Sequence, residues 1–132
     1  MPTFNIKLND NFENTITRVT QVLQQEGFGI LNEIHVDTVF KNKLNIDMLR
    51  YRILSACIPS IAHRLIYQHP DIGALFPCNV VVREEAGGTT SVIFMDPVKV
   101  FGLTGDPEVV KIGKEAKTQM MRVRDALESS TS

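Results

Sequence analysis

Ile53-Leu54-Ser55-Ala56-Cys57-Ile58-Pro59-Ser60-Ile61-Ala62, then His69-Pro70-Asp71-Ile72-Gly73, then Leu75-Phe76-Pro77-Cys78-Asn79-Val80-Val81-Val82 is the stretch that decides the fold. It reads as strand, short helix, strand. Tyr51 to Ile58 is rich in β-branched and apolar residues, as a strand of a main sheet should be. Pro59 stands at the entrance of a helix over Ser60–His69, whose buried stripe is Ile61, Ala62, Leu65 and Ile66. His69-Pro70-Asp71 ends that helix, because the residue before a proline is steered away from helical geometry. Cys78 to Glu85 then begins a second strand.

Working outward, Phe4-Asn5-Ile6-Lys7-Leu8 alternates apolar and polar residues, the signature of a half-buried strand. Asp10, with Glu13 three residues on, is the expected capping box of a helix over 11–26. Phe12, Ile16, Val19 and Leu23 recur along it at helical spacing. Gly27 follows as a left-handed stop, with Phe28 folding back on the last turn. Phe28 to Val36 reads as a strand, with Ile30, Ile34 and Val36 on one face and Leu31, Glu33 and His35 on the other. Val39, Phe40 and Leu44 suggest one helical turn before a polar connection. Thr89 to Met95 forms a hairpin with Cys78–Glu85 around Ala86-Gly87-Gly88. Asp96-Pro97 stops that strand, and a loop with Gly102 and Gly105 leads to Asp106-Pro107, a cap followed by proline at the first helical position. Val109, Ile112, Ala116, Met120, Val123 and Leu127 then mark a long amphipathic helix. Glu128 to Ser132 is a polar tail expected to fray.

The order is β-α-β-β-α-β-β-α. It implies an α+β fold: an antiparallel sheet, two long helices on one face, and a short helix between the central strands. The 132 residues are expected to make one domain, with an ordered core over about 4–127.

The quoted stretch resembles the core signature of the domain-of-unknown-function 302 family. Glu26-Gly27-Phe28-Gly29 and Phe94-Met95-Asp96-Pro97 extend the likeness along the chain. The resemblance implies an α+β layout similar to that of the TATA-binding protein, with antiparallel central strands. It implies no established activity. The family pattern usually has asparagine before the proline that opens the short helix, and this chain has Ile58. Isoleucine can neither cap nor touch a ligand through an amide, so any side-chain cap falls to Ser60.

Cys57 closes one central strand and Cys78 opens the next. If the strands are antiparallel, as the family layout implies, both thiols lie at one end of the sheet. A right-handed crossover would put them at opposite ends. In the antiparallel case Cys57, Pro59, Ser60, Pro77, Cys78 and Asn79 converge on the start of the short helix, where backbone amides favour anions and lower thiol pKa. That makes them the candidate ligand-binding residues for a small molecule or partner. The competing account is packing, since free cysteine often serves as a small buried hydrophobe.

Both faces of the sheet read apolar. Ile53, Val80, Val82, Val92 and Phe94 form one face. Leu31, Leu54, Ala56, Val81, Ile93 and Met95 form the other, mixed with Glu33, His35, Arg52 and Arg83. Helices on one side cover only one of them, and a face left in water normally alternates with polar residues. A homodimer through the open face is therefore expected, at Leu31, Glu33, His35, Leu54, Val81, Ile93 and Met95, or else a ligand held over it.

A net charge of −1, from 14 basic and 15 acidic residues, gives no basic excess for nucleic acid or a membrane surface. No apolar run reaches the ~20 residues of a membrane span. No secretory leader is visible, and two cysteines make no disulfide framework, so a cytoplasmic location is expected. No cofactor motif, nucleophile elbow or phosphate loop occurs. His63, His69 and the cysteines lack the close spacing of a zinc set, so no metal is expected. The reading inclines away from an enzyme. It favours a small dimeric binding domain, against two alternatives: a thiol-dependent enzyme or sulfur carrier using Cys57 or Cys78, and an interaction module without a pocket.

Overall fold

The computed structural model describes residues 1–129. The expected fraying of the tail falls partly on residues 130–132, which lie outside the described residues. Five strands form a single sheet: β1 (Thr3–Leu8), β2 (Gly29–His35), β3 (Tyr51–Cys57), β4 (Cys78–Glu84) and β5 (Thr90–Met95). Their spatial order is β1-β5-β4-β3-β2, and every neighbouring pair is antiparallel. The α+β reading and its antiparallel sheet hold. The central strands β3 and β4 pair with Ala56 opposite Cys78, which rules out the parallel crossover.

Helix α1 (Phe12–Gln25) and helix α5 (Pro107–Ser129) cover the same face of the sheet. Phe12, Val19 and Leu23 from α1 and Met120, Val123 and Leu127 from α5 meet Leu54, Val80, Val82, Val92 and Phe94 in one core. All six apolar positions expected for α5 are buried. The first helix begins one step later than expected. Asn11 caps it, its Oδ1 accepting from the Asn14 amide at 2.8 Å. Asp10 instead accepts from the Asn11 amide and faces Arg18, and Glu13 turns away to pair with Arg50. The C-terminus of α1 follows expectation. Gly27 has φ +88°, Phe28 N–H donates to Leu23 O, Gly27 N–H donates to Gln24 O, and Phe28 is buried.

Three further α-helices lie among the described residues, α2 (Val36–Leu44), α3 (Pro59–Gln68) and α4 (Pro97–Gly102), with a 3₁₀ segment over Pro70–Leu75 after α3. Helix α2 is longer than the single turn expected. Helix α4 stands where a loop was expected, because Asp96-Pro97 is the same cap-plus-proline start signal as Asp106-Pro107. Asp96 Oδ1 accepts from the amides of Val98 and Lys99. Helix α3 does not pack on the sheet core. Its Leu65 joins Ile72, Phe101, Val109 and Ile112 in a second, smaller core with α4 and the first half of α5. Ile66, expected inside, is exposed, since the α3 stripe used in this smaller contact is Ala62 and Leu65, with Ile61 partly buried beside them.

The faces of the sheet correct the sequence reading at β2 and β3. One cross-strand row runs Phe4, Phe94, Val80, Leu54 and Glu33; the next runs Ile6, Val92, Val82, Arg52 and His35. Both lie on the helix-covered side. Leu54 and Ala56, expected on the open face, are fully buried beneath the helices, and Ile53 takes the open side instead. Glu33 and His35 also belong to the covered side, at its outer margin. The cause in β2 is a bulge. Ile30 faces Ala56 while Asn32 faces Ser55, so Leu31 is the extra residue and the alternation changes phase across it. Ile30 and Ile34, expected together, lie on opposite faces, and Val36, expected with them, is the first residue of α2 instead.

Candidate functional site

Cys57 and Cys78 lie on neighbouring, oppositely directed strands at one end of the sheet. Each is buried, 6% and 4% exposed respectively. Strand alternation sends Cys78 into the helix-covered core beside Ala56 and sends Cys57 toward the other face. Burial pushes the Cys57 thiol above its ordinary value. It pushes Cys78 up to about 12, with the neighbouring Cys57 adding to the effect. Desolvation disfavours a thiolate at both positions. Near neutral pH both cysteines are thiols.

The rest of the candidate set spreads around this strand end. Pro59 and Ser60 are exposed at the first turn of α3, and Ile58, the residue before it, offers no side-chain cap. Ser60 makes no capping bond either; the Ala62 amide bonds to Ile58 O as the helix begins. Pro77 is half-buried after a cis peptide bond with Phe76. Asn79 is exposed on the open face, where Ser55 Oγ donates to its Oδ1 at 3.3 Å. The set shares a neighbourhood in the backbone, but its side chains point to different surfaces.

The uncovered face carries a more coherent feature. Its central row is Ile34, Ile53, Val81, Ile93 and Asn5, cross-strand partners in sequence. Met95 lies beside it on β5. Polar rows flank it: Tyr51, Arg83, Ser91 and Lys7 on one side, Asn32, Ser55 and Asn79 on the other. A cavity of about 270 Å³ opens over this face, lined by Met1, Thr3, Asn5, Tyr51, Val81, Arg83 and Ile93. Of the residues expected on the open face, Val81 and Ile93 are therefore on it, and strand alternation places Met95 there too, with its side chain also packing against the core. Leu31 sits on the bulge, and Leu54, Glu33 and His35 are not part of it.

Glu33 and His35 have other partners. Arg52 donates from Nη2 to His35 Nδ1 at 3.2 Å, and its Nη1 lies 3.2 Å from Glu33 Oε1. A guanidinium only donates, so Nδ1 is the accepting nitrogen. Arg52 also lies over the Phe12 ring, as does Arg50. The cluster closes the open end of the core between α1 and the edge strand β2.

The remaining histidines do not gather with the cysteines. His63 stacks on Tyr67 at the surface of α3, and His69 Nε2 lies 3.7 Å from Asp106. Among the described residues no group of three or more His, Cys, Asp or Glu is placed to hold a metal ion. Among the described residues no helix is long and apolar enough to cross a membrane.

A family model, the domain of unknown function DUF302, matches residues 4–127. The chain belongs to the DUF302 family. The crystal structure of an uncharacterised conserved DUF302 protein from Bacillus stearothermophilus superposes with a TM-score of 0.87 at 28% identity, covering 95% of this chain and 97% of that one. No curated protein matches. Family membership thus agrees with the α+β architecture and the Cys57–Val82 signature, and it brings no reaction with it.

One feature escaped the sequence reading. Every residue from Leu31 to Leu49 is exposed except Val36 and Asp37, which are half-buried. The signal was present in the run Phe40, Leu44, Ile46, Met48 and Leu49: five large apolar side chains in what reads as a polar connection.

Proposed function

We propose that this DUF302 chain is an interaction domain that forms a homodimer through its uncovered sheet face. The observation that carries the reading is the apolar row Ile34–Ile53–Val81–Ile93, with Met95 beside it, bordered by polar rows. An apolar strip with a polar rim is how protein interfaces are built, and twofold pairing is the commonest way to cover one. The buried, protonated thiols argue against the sulfur-chemistry alternative, because the thiolate is the nucleophile. A small-molecule role for the Pro77-Cys78-Asn79 corner rests on Asn79 with Ser55, the pair that faces outward there. Sedimentation equilibrium between micromolar and hundred-micromolar protein tests the dimer. The expected result is twice the chain mass, reduced to a monomer by Val81→Glu. A wild-type chain that stays monomeric throughout overturns the reading.

A further inference from the structure

We infer that a pocket at the edge of the smaller core binds a small organic cation, a primary ammonium group on a short apolar body. The pocket is separate from the sheet face and does not depend on the dimer reading. It lies where the 3₁₀ segment after α3 meets the turn between α4 and α5, and its cavity is about 270 Å³. That is just under the roughly 300–1,000 Å³ of pockets for drug-sized ligands, so its occupant is small. The floor is apolar: Ile72 and Val109 belong to the smaller core, and Leu75 packs against it. The remaining lining is polar, from His69, Asp71, Thr104 and Asp106. Pro70 ends α3 and Pro107 starts α5. The two proline-flanked turns thereby bring a histidine and two carboxylates to one cavity.

His69 Nε2 carries the inference. It is buried and has no hydrogen-bond partner among the described residues. Asp106 Oδ2 lies 3.7 Å away, beyond hydrogen-bond reach. A buried polar atom left unpaired is costly, and a single donor atom set between these two reaches both. The surroundings select its charge. Asp71 and Asp106 are carboxylates, and no lysine or arginine lines the cavity. The amides that open α5 would favour an anion, but they are taken: Asp106 Oδ1 accepts from Glu108 at 2.9 Å and from Val109 at 3.5 Å. Thr104 Oγ1 is taken too, donating to Phe101 O at 2.7 Å and accepting from the Asp106 amide at 3.2 Å. What the pocket offers is acceptors: Nε2 of a neutral imidazole with its proton on Nδ1, Oδ2 of Asp106, and the Asp71 carboxylate. A primary ammonium has three donors and no acceptor, which matches that set. Its hydrocarbon part meets the Ile72, Leu75 and Val109 floor. A carboxylate or phosphate on the ligand would face two like charges, which selects against anions.

The test titrates isotope-labelled full chain with n-butylammonium chloride near neutral pH and follows the backbone amide resonances. Sodium butyrate and n-butanol serve as the anionic and uncharged counterparts. The expected result is a saturable shift centred on residues 69–75 and 104–109 with butylammonium, a much weaker one with butanol, and none with butyrate. His69→Phe removes the buried acceptor and is expected to weaken butylammonium binding about tenfold or more. Asp71→Asn changes an exposed side chain, so the fold is retained, and is expected to weaken it about threefold. Far-ultraviolet circular dichroism checks that both variants are folded; should His69→Phe unfold, Asp71→Asn decides. Butylammonium shifts that do not saturate, or that spread over the acidic surface, overturn the inference. Butanol binding as tightly as butylammonium leaves a merely apolar cavity and overturns it as well, as does a preference for butyrate. Affinity unchanged in the folded variants overturns the assignment of these residues. Sedimentation decides the dimer independently, so the two readings fail separately.

Discussion

Lys117 Nζ lies 2.8 Å from Asp96 Oδ2 and joins the end of β5 to the middle of α5. The Asp96 side chain is only 4% exposed, and its other oxygen caps α4. One carboxylate therefore holds together a strand end, a helix start and the long helix. Asp96→Ala removes the cap and leaves the ammonium unpaired. The expected loss is about 2–3 kcal/mol, combining a cap worth about 1 with part of the cost of breaking a buried pair, reduced because Lys117 is partly exposed. Urea denaturation at pH 7 measures it, with a smaller loss expected for Asp96→Asn.

The same residue sets an acid limit. Burial alone would raise the Asp96 pKa, but the Lys117 bond, the Lys99 and Val98 amides and the Lys117 charge outweigh it and hold it below its ordinary value of 3.8. A depressed carboxylate contributes stability above its unfolded value, and loses that contribution as pH falls through the folded one. The stability gap between wild type and Asp96→Asn is expected to be constant near neutrality and to narrow as pH falls below about 4. A gap that does not narrow on acidification would contradict this assignment.

Gly113 sits inside α5 because α4 crosses there. A Cβ at that position would stand 2.9 Å from Pro97 O and 3.1 Å from the Phe101 ring. Alanine normally stabilises a helix interior by about 1 kcal/mol over glycine. At Gly113 overpacking against a backbone carbonyl reverses the sign, and Gly113→Ala is expected to cost about 1–3 kcal/mol. Gly73, around which a Cβ meets nothing within 4 Å, is the control: Gly73→Ala is expected to leave the thermal midpoint within a few degrees of wild type.

Neither cysteine is expected to react readily in the native chain. With Cys78 pushed up to about 12 by burial, alkylation near pH 7.5 is expected to run about a hundredfold or more slower than for a free thiol, because only the thiolate attacks. Both cysteines should label promptly in denaturant. A raised thiol pKa contributes stability below the unfolded value that disappears as pH rises toward the folded one. Wild type should therefore weaken above about pH 9, and Cys78→Ala should weaken less steeply there. Fast labelling of one native cysteine would revive the thiol-enzyme alternative.

Leu54 and Ile53 are neighbours in sequence with opposite fates. Leu54→Ala is expected to cost about 2–5 kcal/mol, the usual loss for a core leucine. Ile53→Thr, on the uncovered face, is expected to alter folding stability by about 1 kcal/mol or less in the monomer and to act on self-association instead. Equal losses from the two substitutions would contradict the assignment of faces.

Much of the architecture is legible in the chain alone. Alternation marks β1, helical spacing marks α1 and α5, and Gly27 and Pro107 punctuate them, because each signal depends on residues close in sequence. The antiparallel neighbourhood of Cys57 and Cys78 follows from the family signature. Their chemistry does not, since it depends on how much protein surrounds the sulfurs.

What only the tertiary structure decided is the phase of the inner strands and the fate of the connection after β2. Period-two alternation says which residues of a strand share a face but not which face the helices take. In Ile53-Leu54-Ser55-Ala56 both faces are poor in charge, so the ambiguity is complete until pairing with β4 sets Leu54 against Val80. The bulge at Leu31 is invisible for the same reason: an inserted residue changes phase only relative to the partner strand. Helix α2 reads as half helix and half loop because its apolar side chains find no core within their own chain, and what covers them is a question of contacts rather than of spacing.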